Sequence, residues 1–348
     1  MNVTLILGNG FDLNMGLPTA YSDFYKYYMQ VDSPKTTRPI KQGIENNPET
    51  WADLEKNLGE ISKEYMQDSD AYIEAFENVR DELTKYLIVV DEYEIPNIDK
   101  LATHFLRDIL EVDRFLDNMP KQEYRQFLPS LNSPNDIELT VVNFNYTSTV
   151  EKLMAIQNEF AMPPKKLTFH EVIHVHQDLN MGILMGVDNK SQIANEAYAG
   201  MYAVRARIVK PFINEMFAAE NDLRCHDAIS NANLIILFGT SFGETDDMWW
   251  ECLKNATYNR NVRIICSPYE HESAKPLHES DIILKIHDFK VALAKRLARG
   301  NPVVEQDLYG RIYPIRNNHL FNFGFSQRNR EKARYEIISR IPKVINVQ

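Results

Sequence analysis

The sequence predicts an α/β fold: a Rossmann-type parallel sheet with a large helical insertion after its first strand. Apolar runs rich in Val and Ile recur at Val3–Leu7, Leu139–Val142, Val172–Val175, Leu234–Phe238, Val262–Cys266 and Ile282–Ile286. They are continuous rather than alternating, as strands buried on both faces of a parallel sheet require. Between the first two runs lies a long acidic stretch with helical spacing, Leu54, Leu58, Ile61 and Tyr65 in one segment and Leu101, Phe105, Ile109 and Val112 in another.

The first run flows directly into Gly8-Asn9-Gly10, and the following residues can open a helix. Such a turn sets phosphate against exposed backbone N–H groups. The glycine spacing, Gly8, Gly10 and Gly16, departs from the G-x-G-x-x-G of NAD-dependent dehydrogenases, which disfavours an ordinary dehydrogenase. Gly8 and Gly10 also read simply as a tight strand-to-helix turn. Asp12 either caps that helix or, with Asn9, lines a ribose or phosphate pocket.

The insertion is expected over residues 25–130. Asn46-Asn47-Pro48-Glu49 punctuates the chain before its first apolar stripe, Thr50 is placed to cap that helix, and Asp53 and Glu55 fall in the first turns. Asn145 follows a buried strand end. It either faces a ligand at the carboxyl edge of the sheet or caps the helix that starts near Val150. Pro163-Pro164-Lys165-Lys166 marks a loop.

His174 and His176 alternate along one expected strand and so should share a face. Without a third ligand at a recognisable spacing they do not make a metal site, and no metal is expected. A neutral imidazole is instead suited to take a proton from a ribose hydroxyl or a water. Gly239-Thr240-Ser241-Phe242-Gly243 after a strand has the Gly-x-Ser-x-Gly form of a nucleophile elbow, and Asp246 or Asp281 with His287 nominally completes a triad. Beyond Gly300-Asn301-Pro302 the chain turns basic and aromatic, with Arg311, Arg316, Arg328, Arg330 and Arg334. This reads as one α/β domain over residues 1–300 with a C-terminal appendix over 301–348, its Arg residues a solvated face or an assembly surface.

The formal net charge of −11 over 348 residues argues against a general nucleic-acid binder, which needs many Lys and Arg contacts. Cys225, Cys252 and Cys266 are odd in number and widely spaced, so neither a disulfide framework nor a zinc ribbon is expected. No secretory signal and no apolar run of the ~20 residues needed to span a bilayer is visible, so the expected location is cytoplasmic.

Gly8-Asn9-Gly10-Phe11-Asp12, Gly16-Leu17-Pro18-Thr19 and Tyr21-Ser22-Asp23-Phe24 together resemble the opening motif of the AbiH family of bacteriophage abortive-infection proteins. More distantly they resemble the opening of the Sir2 fold. Asn143-Phe144-Asn145-Tyr146-Thr147, then His174-Val175-His176 with Gly186-Val187-Asp188, then Gly239–Gly243 with Asp246 follow in the expected order, and Trp51, Asp53 and Glu55 are similar to a Trp-x-Asp-x-Glu element of AbiH relatives. The resemblance implies an antiphage role, a Sir2-like fold, a phage-derived trigger, and NAD as the bound substrate, hydrolysed to ADP-ribose and nicotinamide. It implies that Asn145 and His176 are catalytic, Asn145 holding water or the nicotinamide-side ribose and His176 acting as base. Gly8, Asn9, Gly10, Asp12, Gly239, Ser241 and Asp246 would contact the nucleotide. Thr147 stands where Sir2 proteins often carry Asp, and Gln177 where relatives usually carry Gly. The lack of paired zinc-binding Cys motifs argues against a sirtuin-type deacylase. Two alternatives stand beside this reading: a catalytically silent nucleotide-binding sensor and a Ser241-dependent esterase-like hydrolase. A homo-oligomer is compatible with all three.

Overall fold

The run after Met1 forms the central strand of a seven-stranded sheet in the computed structural model, which describes residues 1–116, 136–217, 220–240, 244–259, 262–267, 278–298, 300–315, 320–325 and 327–341. The strands are β1 (Asn2–Leu7), β2 (Asp136–Asn143), β3 (Glu159–Met162), β4 (Lys165–His174), β5 (Leu234–Phe238), β6 (Arg263–Ser267) and β7 (Ile312–Pro314). They lie in the order β3-β4-β2-β1-β5-β6-β7, with β3 antiparallel to β4 and every other neighbouring pair parallel. Numbered by themselves in chain order, the parallel strands read 3-2-1-4-5-6, the doubly wound arrangement of dinucleotide-binding folds. The chain winds outward from β1 to β4 and then returns to β5 on the other side of β1. The topological switch point therefore lies between β1 and β5.

Alternation along β1 divides the core. Val3, Leu5 and Leu7 pack with the helical insertion, while Ile6 packs with Trp249, Leu253 and Leu297 on the opposite face. The insertion carries helices Tyr21–Tyr28, Arg38–Asn46, Leu54–Glu60, Ser69–Asp91 and Ile98–Leu110, and part of its expected span, residues 117–135, lies outside the described residues. Leu54, Leu58, Tyr65, Leu101, Phe105, Ile109 and Val112 are buried, as their spacing predicts. The cap differs from expectation: Asp53, not Thr50, precedes the helix Leu54–Glu60, and its carboxylate accepts from the Lys56 N–H at 3.0 Å. Among the described residues no helix is long and apolar enough to cross a membrane.

One expectation for the C-terminal third is corrected. Ile282–Ile286 is not a strand but part of the helix Glu279–Ala298, because a short apolar run fits either element. Described residues beyond 300 join the sheet and its core. They supply β7, and Phe321 stacks on Phe105 at 4.9 Å between ring centres and meets Phe11 edge-on at 5.8 Å. Arg334 pairs with the buried Asp23, and Arg330 donates to Asn14 at 3.3 Å, so part of the basic tail is a seam against the first helices. Arg316 lies outside the described residues.

At the switch point the two loops touch. The Gly8 N–H donates to the Phe238 carbonyl and the Gly10 N–H to the Gly239 carbonyl, both at 2.9 Å. A Cβ on Gly10 would sit 2.5 Å from Gly239 Cα, and one on Gly8 would sit 2.5 Å from the Gly239 oxygen. Gly239 itself has φ +69°, a conformation that favours glycine. The close approach made by these glycines is thus to the chain's own backbone, so enlarging Gly10 disturbs the fold itself. Gly10→Ala should cost about 1–3 kcal/mol, the usual range for forced overpacking, read as a lower urea midpoint. An unchanged midpoint would show that the two loops can separate freely.

Candidate functional site

Loops leaving the carboxyl ends of β1, β2, β4 and β5 converge on one edge of the sheet. Asn145 is fixed from three sides. Its backbone N–H donates to Asn143 Oδ1 at 3.0 Å, its Nδ2 donates to the Gly8 carbonyl at 3.1 Å, and its own carbonyl lies 2.7 Å from His174 Nδ1. The following helix, Thr149–Ile156, has Ser148 at its cap position, so Asn145 is not a helix cap. His174 Nε2 reaches Glu151 at 2.5 Å. Burial favours neutral His174, but the Glu151 contact outweighs it and raises the imidazole pKa above its ordinary value. His174 is therefore a bracket for the Asn145 loop.

His176 does not share that environment, because β4 ends at His174 and strand alternation no longer applies beyond it. His176 Nε2 lies 2.9 Å from Asp246 Oδ1. The same oxygen accepts from Lys210 Nζ at 3.0 Å, and Lys210 Nζ also donates to Glu55 Oε2 at 2.8 Å. The other Glu55 oxygen faces the Gly186 N–H at 3.3 Å and the Tyr146 hydroxyl at 3.4 Å. Lys210, Glu55, His176 and the Tyr146 hydroxyl thus form one buried ionic centre around Asp246.

Burial by itself would neutralise these groups, and the partners decide otherwise. For Lys210, desolvation lowers the pKa, but Asp246 and Glu55 outweigh it and hold the ammonium above the ordinary lysine range. For Asp246, desolvation raises the pKa, but Lys210 and His176 outweigh it and hold the carboxyl well below the ordinary range. Nearby Asp188 lacks such full compensation, and burial pushes it up to about 6.

Local chain geometry explains how distant residues meet. The Val187 N–H donates to the Ile208 carbonyl at 2.8 Å, and the Lys210 N–H donates back to Val187 at 2.9 Å. A Cβ at Gly186 would collide with the Ile208 backbone, so glycine there permits this bridge. Asp188 accepts from the Met248 N–H at 3.0 Å, which ties the bridged segment to the residues just after Asp246. From the insertion, Trp51 packs against Gly43 and Tyr25, Asp53 caps the helix, and Glu55 alone of the three enters the ionic centre.

The remaining expected contacts distribute differently. Asp12 is buried beneath the edge and accepts from Thr147 Oγ1 at 2.5 Å rather than capping its helix. Burial pushes its carboxyl up to about 6. Asn9 is exposed, with Nδ2 donating to the Thr19 carbonyl at 3.1 Å. Gly8, Gly10 and Gly239 form the backbone seam, and Ser241 lies outside the described residues. Of the nominal triad partners, Asp246 is engaged by His176 and Lys210, while exposed His287 lies 3.1 Å from the Tyr309 hydroxyl. Among the described residues no three His, Cys, Asp or Glu side chains converge as metal ligands.

Lys210 and the Tyr146 hydroxyl were not among the sequence-derived candidates. The available signal for Lys210 was a lone cation inside the apolar stretch Ile208-Val209-Lys210-Pro211-Phe212-Ile213. A Lys in such a run is buried only when paired.

These features define a doubly wound α/β protein with a buried ionic centre at the carboxyl edge of its sheet. A family model described as bacteriophage abortive infection AbiH matches residues 4–267, from β1 to the end of β6, and the chain belongs to that family. No curated protein matches it.

Proposed function

We propose that the chain is an antiphage abortive-infection enzyme that hydrolyses the nicotinamide–ribose bond of NAD at this sheet edge. The observation that carries the reading is the ionic centre: buried His176, Lys210 and Glu55 and half-buried Asp246 come from separate segments and meet beside the switch point. Perturbed, mutually paired charges in such a place are typical of sites that do chemistry. The antiphage role follows from the AbiH family.

In this reaction water adds to the anomeric carbon of the ribose, the bond to nicotinamide breaks, and one proton is released. Positive charge develops on the ribose as the bond lengthens, and the carboxylates of Glu55 and Asp246 are the groups that oppose it. His176 has Nε2 on Asp246, which leaves Nδ1 to take the proton from water. Asn145, locked by Gly8 and His174, orients the reacting groups.

The test is NAD content in phage-infected cells, followed by chromatography for free nicotinamide. Cells carrying the wild-type chain should lose NAD after infection, whereas cells carrying Asp246→Asn should keep it and lose protection. Full protection with undiminished NAD would remove the hydrolase and favour the nucleotide sensor.

A further inference from the structure

Beside the ionic centre lies a cleft of about 490 Å3 between the helices Glu220–Ser230 and Asp247–Asn259, walled in part by Asp188, Asp222, Leu223, Met248 and Trp249. This volume is within the roughly 300–1,000 Å3 of small-molecule sites. Its carboxylates are not equivalent. Asp247 lies 3.3 Å from Arg296 and Glu251 lies 3.0 Å from Lys254, so each has a cation at hand. Asp222 instead accepts from the neutral Asn214 amide at 2.9 and 2.8 Å, and Asp188 accepts from the Met248 N–H at 3.0 Å.

These two carboxylates also adjoin the ionic centre. Asn221 donates to the His174 carbonyl at 3.3 Å, which seats the start of its helix on the end of β4 and brings Asp222 within the field of His176. Asp188 lies in the field of Lys210 and Asp246. Burial raises the pKa of both Asp188 and Asp222, outweighing Lys210 at the first and His176 at the second. Leu223, an apolar side chain 70% exposed, stands on the same cleft as Met248 and the buried Trp249.

We propose that this cleft binds a flat organic cation of pyridinium type, its charge against Asp188 and Asp222 and its ring against Leu223, Met248 and Trp249. It rests on the NAD reading only for which ring fills the cleft in cells, the oxidised nicotinamide. A cation there would add a directly contacting charge to Asp188 and Asp222, whose hydrogen-bond donors are the neutral Met248 N–H and Asn214 amide, and Trp249 offers a partner for a charged ring.

The probes are 1-methylnicotinamide, a cation, and nicotinamide, its neutral counterpart, titrated into the full chain by calorimetry and tryptophan fluorescence. The cation should bind saturably and at least about tenfold more tightly than the neutral ring, as expected for a contact with a charged partner. Added salt should weaken the cation alone. Asp222→Asn and Asp188→Asn should each reduce cation affinity by about tenfold. The wild-type comparison needs no variant, so a poorly folded variant does not obscure the result. Equal affinities, no binding of the cation, or binding indifferent to both replacements in folded protein would overturn the assignment. Cation binding without nicotinamide release from NAD would keep the cleft and remove the hydrolase, and release without cation binding would do the reverse.

Discussion

Replacing Lys210 with Met should destabilise the protein by about 3–5 kcal/mol, the scale seen when one member of a buried ion pair is removed. The ammonium lies 2.8 Å from Glu55 and 3.0 Å from Asp246, and without it the buried Glu55 and half-buried Asp246 carboxylates face each other with only His176 to offset them. Its sign with pH follows from the shifts. Asp246 has a depressed folded pKa, so its contribution is present above the ordinary carboxylate range and fades as pH falls toward the folded value. Lys210 has a raised folded pKa, so its contribution is complete below the ordinary lysine value of about 10.4 and fades as pH rises beyond it. The deficit of Lys210→Met should therefore be large at neutral pH and shrink in acid. Chemical denaturation across pH measures it, and Glu55→Gln added to Lys210→Met should recover part of the loss. A deficit below about 1 kcal/mol at neutral pH would mean that water screens these charges as it does surface pairs.

His176→Ala should lower nicotinamide release by about a hundredfold or more, the range lost with a general base. ADP-ribose binding, measured by calorimetry, should change far less, because in the proposed reaction the imidazole acts on water rather than on the bound nucleotide. His174→Ala should behave differently. That ring supports the Asn145 carbonyl and Glu151, so its loss should first lower thermal stability and reduce turnover only as far as the Asn145 loop drifts. Release measured in infected-cell extracts avoids confusing an untriggered protein with an inactive one. Turnover in His176→Ala equal to wild type would take His176 out of the mechanism.

The strands β1, β5 and β6 were legible because burial on both faces leaves an uninterrupted Val and Ile record, and β2 and β4 were legible only at their apolar carboxyl ends. β7 was not legible, since three residues, one of them Pro314, carry too little pattern. The longest insertion helix, Ser69–Asp91, also escaped notice, although Tyr72, Phe76, Val79, Leu83 and Tyr86 on it are buried. At the site, motif residues such as His176 and Asp246 could be chosen one by one, but nothing in the sequence said that they touch. Lys210 and Glu55, 155 positions apart, meet only because the Gly186–Asp188 bridge and the insertion helix both end at the same edge. Gln177 shows the opposite case. Its φ of +60° lies where a residue with a Cβ is disfavoured by about 1–2 kcal/mol, so a Gly would adopt this backbone with less strain.

The central place of β1 has a consequence for synthesis. Val3 pairs on one side with Leu139 and on the other with Leu234, so the central strand emerges from the ribosome long before its second neighbour exists. At roughly 5–20 residues per second, about 10–50 s pass between the appearance of β1 and that of β5. During that interval the edge of β1 that β5 will cover has no partner strand. The same order of events governs the ionic centre: Asp246 is the last of its residues to be made, so no shorter nascent fragment can assemble it.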